Sequence, residues 1–273
     1  MALSALSGGE LGFQASAPRL LISIRLDERQ WAPLRMNTLA RGVKRLRFEL
    51  TQGQLETFRR YLEELEAARP RLRLTALTEP ESVQRRHFLE PLALLVALEK
   101  MGPLGGTAID VGSGAGFPGL PVKIVRPGLK LTLVEAHGRR AAFLEHLVGR
   151  LGLEDVTVVN GRAEDVAREP RHREAYDVAL ARAVAPLPAL VELTLPFLRV
   201  GGLLAAPKGS RARREVSEAA AALKACGGVV ESVRPLDVPG AKTPPTLVVV
   251  RKTSNTPDRF PRRSGIPAKR SLR

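Results

Sequence analysis

A single cysteine, Cys226, stands in 273 residues, so an internal disulfide is excluded and the thiol is expected to be a small buried apolar group. Long apolar runs are missing as well. The longest, residues 92–98, stops at Glu99 and Lys100, far short of the ~20 residues a membrane helix needs. No basic stretch leads an apolar one at the start, so no secretory leader is expected. The histidines, His87, His137, His146 and His172, show no ligand spacing with cysteine or carboxylates, and no metal is expected. No Gly-x-Ser-x-Gly elbow occurs, which argues against an α/β-hydrolase. Aromatic residues make up only 4%, so a platform of stacked bases is not expected. What these absences leave is a cytoplasmic protein with no membrane contact.

Charge is in surplus. Lysine and arginine number 43 against 28 acids, a formal net charge of +15, and the pI is near 11.0. Such an excess draws a protein to polyanions, chiefly nucleic acid, through counterion release. A merely solvated basic surface is the other reading. With few aromatics, phosphate contacts should dominate any RNA interface.

Four zones follow along the chain. Residues 1–45 form a poorly patterned extension, in which Trp31-Ala32-Pro33 breaks what pattern there is and Met36 starts a clearer segment. Residues 46–103 read as a helical cap. Leu55, Phe58, Leu62 and Leu65 recur at helical spacing after a possible N-cap at Thr51, and Pro70 should end that helix. A second helical stretch covers residues 83–100, with Pro91 near a kink or first turn. Residues 104–252 alternate strands at 107–111, 131–135, 156–159, 178–181 and 203–206 with helices at 120–125, 141–151, 187–198 and 213–225. That alternation predicts a mostly parallel sheet with helices on both faces. Strands at 229–233 and 247–250 have no helix between them and fit an antiparallel pair at one edge. Residues 253–273 form a basic tail whose Pro257, Pro261, Pro267 and Gly265 suggest an extended arm. It is either a solubilising tail or an RNA contact.

The chemistry concentrates in Asp110-Val111-Gly112-Ser113-Gly114-Ala115-Gly116-Phe117-Pro118-Gly119, between a strand and a helix. Glycines allow close backbone approach to a ligand, and a helix start offers unpaired N–H groups. Dinucleotide enzymes use a similar loop, so an NAD(P)-dependent oxidoreductase is one reading. Two features favour S-adenosylmethionine. Asp110 can hold an ammonium group, for which a pyrophosphate has no counterpart, and the final antiparallel pair suits a methyltransferase. Glu135 ends the second strand, where a carboxylate can accept both ribose hydroxyls; it is otherwise a strand-end surface charge. Residues 161–164 would border the adenine, or form a surface turn. Arg182 would face the same crevice, or make a structural salt bridge, and Lys208 follows the fifth strand.

With those residues assembled, the chain resembles the small-subunit 16S ribosomal RNA guanine-N7 methyltransferase family, also called the glucose-inhibited division protein B family. The resemblance runs from about residue 72 to the C-terminus. It rests on Leu74-Thr75-Ala76-Leu77, Arg86-His87-Phe88-Leu89-Glu90, the loop at 110–121, residues 161–164 and residues 182–185. It implies a class I methyltransferase (Rossmann-like) α/β fold, a seven-stranded mostly parallel sheet with helices on both faces and a small N-terminal helical cap. It implies S-adenosylmethionine as cofactor, held by Gly112, Phe117, Glu135, Ala136, His137, Ala163, Glu164 and Arg182, to which the reading of the loop itself adds Asp110 and Gly114. The implied partner is 16S rRNA or the small ribosomal subunit, acted on by a monomer. No catalytic base is named, because guanine N7 has no proton to lose. Arg182, Lys208 and His87 are the candidates for orienting RNA. A non-catalytic RNA-binding assembly factor would share the charge and the tail. The sequence departs from the family pattern at Arg73, at Glu90 with Pro91, and at Pro245-Thr246. The family begins close to the first cap helix, so residues 1–35 are expected to be an upstream misreading with Met36 as the start.

Overall fold

The computed structural model describes residues 36–72, 77, 79–102 and 104–272. The expectation about residues 1–35, and Arg73 through Ala76 of the quoted motifs, lie outside the described residues. Seven strands, β1 (Thr107–Val111), β2 (Lys130–Glu135), β3 (Val156–Asn160), β4 (Tyr176–Leu180), β5 (Leu198–Lys208), β6 (Gly228–Pro235) and β7 (Thr246–Lys252), lie in the order β3-β2-β1-β4-β5-β7-β6. The first five pair in parallel. β7 inserts antiparallel between β5 and β6, so the expected antiparallel edge is present. Side chains alternate along each strand: Ala108 joins one core and Ile109 the other.

On the first face lie α1 (Asn37–Arg45), α2 (Gln52–Leu72), α3 (Pro80–Val83), a π-helical turn (Gln84–Leu89), α4 (Glu90–Glu99), α5 (Gly119–Val125) and α6 (Gly138–Leu151). The cap helices and this face share one core. α1 falls inside the zone that reads as unpatterned, yet Leu39 and Val43, one turn apart, are both buried. Thr51 caps α2 as expected: its Oγ1 accepts the Gln54 N–H at 3.2 Å, and Gln54 Oε1 accepts the Thr51 N–H at 2.9 Å, a reciprocal capping box. Pro70 does not end this helix, which runs to Leu72. The missing N–H costs the helix one hydrogen bond, to the Glu66 carbonyl, and the helix carries on for only two further residues.

The second face carries α7 (Ala163–Val166), α8 (Leu187–Thr194), α9 (Ala212–Glu218) and α10 (Ala220–Cys226). The tail covers this face rather than extending as an arm. Thr256, Phe260 and Pro261 are buried, and α11 (Ile266–Lys269) closes the described chain. The extended reading fails because the tail's charges have specific partners far away in sequence. Arg262 donates to Glu192 from its backbone N at 2.7 Å and from Nη2 at 2.6 Å. At the root of the tail Glu174 accepts both the Thr256 N–H at 2.8 Å and Nζ of Lys252, the last residue of β7, at 2.7 Å.

Glu192 is 0% exposed. Arg262→Ala strands that carboxylate without its counter-charge and is expected to destabilise the protein by about 3–5 kcal/mol, read as a lower denaturation midpoint. A shift under about 1 kcal/mol would mean the tail is only loosely docked.

Candidate functional site

The sheet order reverses between β1 and β4, and in such sheets ligands sit in the crevice beyond the strand ends at that point. The loop after β1 and the segment after β4 flank this crevice. Gly112 has φ 73° and Gly114 φ 59°, which a side chain adopts only with strain. A Cβ on Gly112 would lie 2.8 Å from Val184 Cγ2 of the β4 segment, whereas one on Gly114 would have only the Gly112 carbonyl oxygen within 4 Å, at 3.9 Å.

Asp110 closes the base of the loop. Its Oδ2 accepts the Gly119 N–H at 2.8 Å, pinning the start of α5. Its Oδ1 is buried with no hydrogen-bond partner among the described residues. Burial pushes this carboxyl up to about 7, with the Gly119 N–H and Arg182 pulling the other way. A folded pKa above the unfolded value means that the folded state holds a proton the unfolded chain releases, so stability falls as pH rises through that window. Asp110→Asn is therefore expected to gain on the parent by on the order of 3 kcal/mol between about pH 5 and pH 8. Urea unfolding at both pH values, without nucleoside, checks this; a pH-independent difference would contradict it.

Glu135 ends β2 and is buried, as a strand-end carboxylate held for a purpose would be. Its Oε2 accepts the Gly114 N–H at 2.9 Å and its Oε1 the His137 N–H at 2.8 Å, while His137 Nδ1 lies 2.9 Å from Oε1. Burial raises this carboxyl, but those hydrogen bonds and Arg140 outweigh it and hold it low. Ala136 and His137 are exposed beside it. Asn160 Nδ2 and the Gly161 N–H both donate to the Glu135 carbonyl, tying the end of β3 to the end of β2. Ala163 opens α7 there. Glu164 is buried, and its Oε1 accepts the Gly265 N–H of the tail at 2.8 Å.

Under the glycine loop runs an aromatic stack that the sequence reading missed. Phe117 lies between Tyr61 of α2, at 5.2 Å and 12°, and His87 of the π turn, at 4.4 Å and 8°. Tyr61 Oη donates to the Ala115 carbonyl at 2.6 Å. The signal was a tyrosine beside the apolar stripe of Phe58, Leu62 and Leu65. His87 is pushed down to about 3, first by burial and then by Arg182 and Arg86. Arg182 Nη2 lies 2.9 Å from His87 Nδ1. A guanidinium only donates, so Nδ1 accepts and the proton sits on Nε2.

Arg182 is the hub. Besides His87 it donates to the Arg86 carbonyl at 2.6 Å, lies 3.6 Å from Glu90 Oε1, and sits over the Phe117 ring at 5.2 Å. Pro91 explains why that carbonyl is available. In the π turn the Glu90 N–H bonds the Arg85 carbonyl, so the Arg86 carbonyl would be served by residue 91, and proline has no N–H.

Lys208, at the end of β5, donates to the Ala185 carbonyl at 2.6 Å and to Glu215 at 3.0 Å. Arg182 and Lys208 thus anchor both ends of residues 182–185, where Ala183 takes φ 57°, a conformation that side chains adopt only when held. These residues, with His87, Glu90, Arg211 and Thr243–Thr246, line a cavity of about 750 Å³, room for a nucleotide-sized group. The orphaned Asp110 oxygen and the uncrowded backbone at Gly114 fit a nucleoside cofactor at the loop; no group of metal-ligating side chains occurs among the described residues.

Comparison with known proteins agrees with this geometry. The family described as rRNA small subunit methyltransferase G matches residues 54–241. Ribosomal RNA small subunit methyltransferase G of Roseiflexus castenholzii is 48% identical over 237 residues, covering 87% of this chain and 100% of that protein. The protein of that name from Dehalococcoides mccartyi is 44% identical over 238 residues, with 87% and 100% covered. The one from Lactobacillus delbrueckii subsp. bulgaricus is 40% identical over 233 residues, with 85% and 98% covered.

Proposed function

Since this chain belongs to the rRNA small subunit methyltransferase G family, we propose that its β1–β4 crevice holds S-adenosylmethionine for methylation of N7 of a guanine in 16S rRNA. The protein is an S-adenosylmethionine-dependent enzyme of the class I α/β fold. The observation that carries the site reading is the adjacency, through Val184 against Gly112, of a glycine loop and a nucleotide-sized cavity. The β5–β7–β6 antiparallel edge and the family together set aside the dinucleotide reading.

Within that reading, Gly112, Gly114 and Phe117 shape the loop around the cofactor, and Asp110 and Glu135 offer it acidic acceptors. Ala136, His137, Ala163 and Glu164 border its nucleoside end. Glu135 accepts the ribose hydroxyls in competition with the Gly114 and His137 N–H groups. Arg182 acts as a positioning residue for the wall between the two ligands. The cofactor supplies an electrophilic methyl on a cationic sulfur. Guanine N7 brings an in-plane lone pair and no proton, so no residue of this chain needs to act as a base. Acceleration then comes from alignment and from the fixed charges around the cavity. His87 is neutral and Lys208 is held by Glu215, so both serve the framework, leaving exposed Arg86 and Arg211 to meet phosphates. The target guanine enters unstacked, because the major groove of duplex RNA is too narrow for side chains to read.

The proposal includes a monomer acting in the cytoplasm. Among the described residues no helix is long and apolar enough to cross a membrane. Incubation with methyl-labelled S-adenosylmethionine and small-subunit RNA tests the activity. Label at one guanine, with chain scission there after borohydride and aniline, is the expected result. Binding to the subunit with no label transferred would favour a non-catalytic assembly factor.

A further inference from the structure

The carboxylates buried in this fold fall into two kinds. Asp110, Glu135, Glu164, Asp177 and Glu192 each accept a backbone N–H at 2.7–2.9 Å. Glu90 is 7% exposed and does not. Among the described residues its ion-pair partner is Arg182, at 3.6 Å, longer than a charge-assisted hydrogen bond. Its carboxylate opens onto the 750 Å³ cavity and keeps acceptor capacity that a ligand seated there can use. Glu90 stands at the end of the π turn, which re-aims side chains where it interrupts a helix.

We infer that Glu90 is the guanine-reading residue of the acceptor cavity, its carboxylate accepting the N1–H and N2–H donors of the target base. This rests on the methyltransferase reading of the same site and adds the part of the base that is recognised. Guanine suits a carboxylate because its Watson–Crick edge presents two adjacent donors. Adenine presents an acceptor beside its single donor, and N1 would then repel the carboxylate. With that edge on Glu90, N7 lies on the side of the purine facing away from the carboxylate. Residues 183–185, lining the same cavity, reach the glycine loop through Val184. Arg182 then has a second task. Burial holds the Glu90 carboxyl above its ordinary value, and Arg182 followed by Arg86 limits that rise. The two N–H donors of a bound guanine edge would themselves favour the ionised, acceptor-only form.

The test uses the full chain and small-subunit RNA carrying inosine, which lacks the N2 amino group, at the nucleotide the parent enzyme methylates. The parent is expected to methylate the guanosine RNA about 10-fold or more faster than the inosine RNA, the discrimination a lost bidentate partner brings. In Glu90→Ala the guanosine rate falls and the preference collapses to within about twofold. S-adenosylmethionine binding, measured in parallel, stays within about threefold, which separates lost recognition from a damaged fold. Glu90→Asp, which keeps the carboxylate, retains the preference. A parent enzyme indifferent to inosine, or a Glu90→Ala variant that keeps the full preference, overturns the inference and leaves the methyltransferase reading standing. Absence of any methyl transfer by the parent overturns both.

Discussion

Alanine at Arg182 is expected to lower kcat/KM for RNA methylation by on the order of 100-fold. The reason is the number of buried acceptors that one guanidinium serves. Without it the Arg86 carbonyl, which Pro91 has left with no helical donor, goes unsatisfied. His87 Nδ1 loses its donor and Glu90 its counter-charge. Each hydrogen bond to a charged group is worth about 1.5–3 kcal/mol, and about 3 kcal/mol carried into the transition state gives the stated loss. Because residues 183–185 are anchored here and at Lys208, the wall of the cavity should loosen, raising KM for RNA as well as lowering kcat. Arg182→Lys keeps the charge but not the fork, and is expected to recover less than about a tenth of the lost activity. Steady-state kinetics on the three proteins decide it. An alanine variant within about threefold of the parent would mean the hub is ornamental.

The second large effect is expected at Gly119. A Cβ there would lie 2.8 Å from Asp110 Oδ2, 3.0 Å from Asp110 Cβ and 3.1 Å from Leu133 Cδ2. Both neighbours are fully buried and have nowhere to move. Gly119→Ala must therefore push the start of α5 away, stretching the hydrogen bond that ties the loop to β1. Overpacking of this kind costs about 1–3 kcal/mol. The glycine loop shifts with it, and S-adenosylmethionine affinity is expected to drop about 10-fold or more. Gly149 lies within α6, where a Cβ would meet nothing within 4 Å. Gly149→Ala is the control and should be neutral or stabilising by up to about 1 kcal/mol. Equal behaviour of the two variants in thermal unfolding and ligand titration would contradict this account of the loop.

Much of the sheet was legible because its strands are short apolar runs bounded by breakers. β1 falls on residues 107–111 as expected, and β3 differs by one residue. β4 starts at Tyr176, before its apolar run, where Asp177 accepts the Gly106 and Thr107 N–H groups. β5 starts earlier too, since Gly201 and Gly202 break the apolar pattern without ending the strand. A Cβ on Gly202 would sit 2.9–3.1 Å from three backbone carbonyl oxygens, a packing reason invisible in periodicity.

At the site, local signals were readable and distant pairings were not. Glycines next to an acid mark a candidate ligand loop, and a strand-ending acid at 135 marks a candidate ribose partner. Tyr61 reaches the loop from a helix some fifty residues earlier, and nothing in its spacing distinguishes it from Phe58 or Leu65. The tail misleads for the same reason. Proline-spaced charges look solvated until Glu164, Glu174 and Glu192, each far upstream, are found to receive it. Glu90 showed only as a departure from the family motif. Its significance lies in the hydrogen bonds it does not make, which only coordinates can report.

Titration calorimetry of the purified chain with S-adenosylmethionine, its demethylated product and NAD in turn reaches the root of the account. Saturable heat with the first two and none with NAD is the predicted outcome, because the proposed site at the loop, Asp110 and Glu135 suits a sulfonium nucleoside. A flat trace with both nucleosides, from protein shown to be folded, would contradict it.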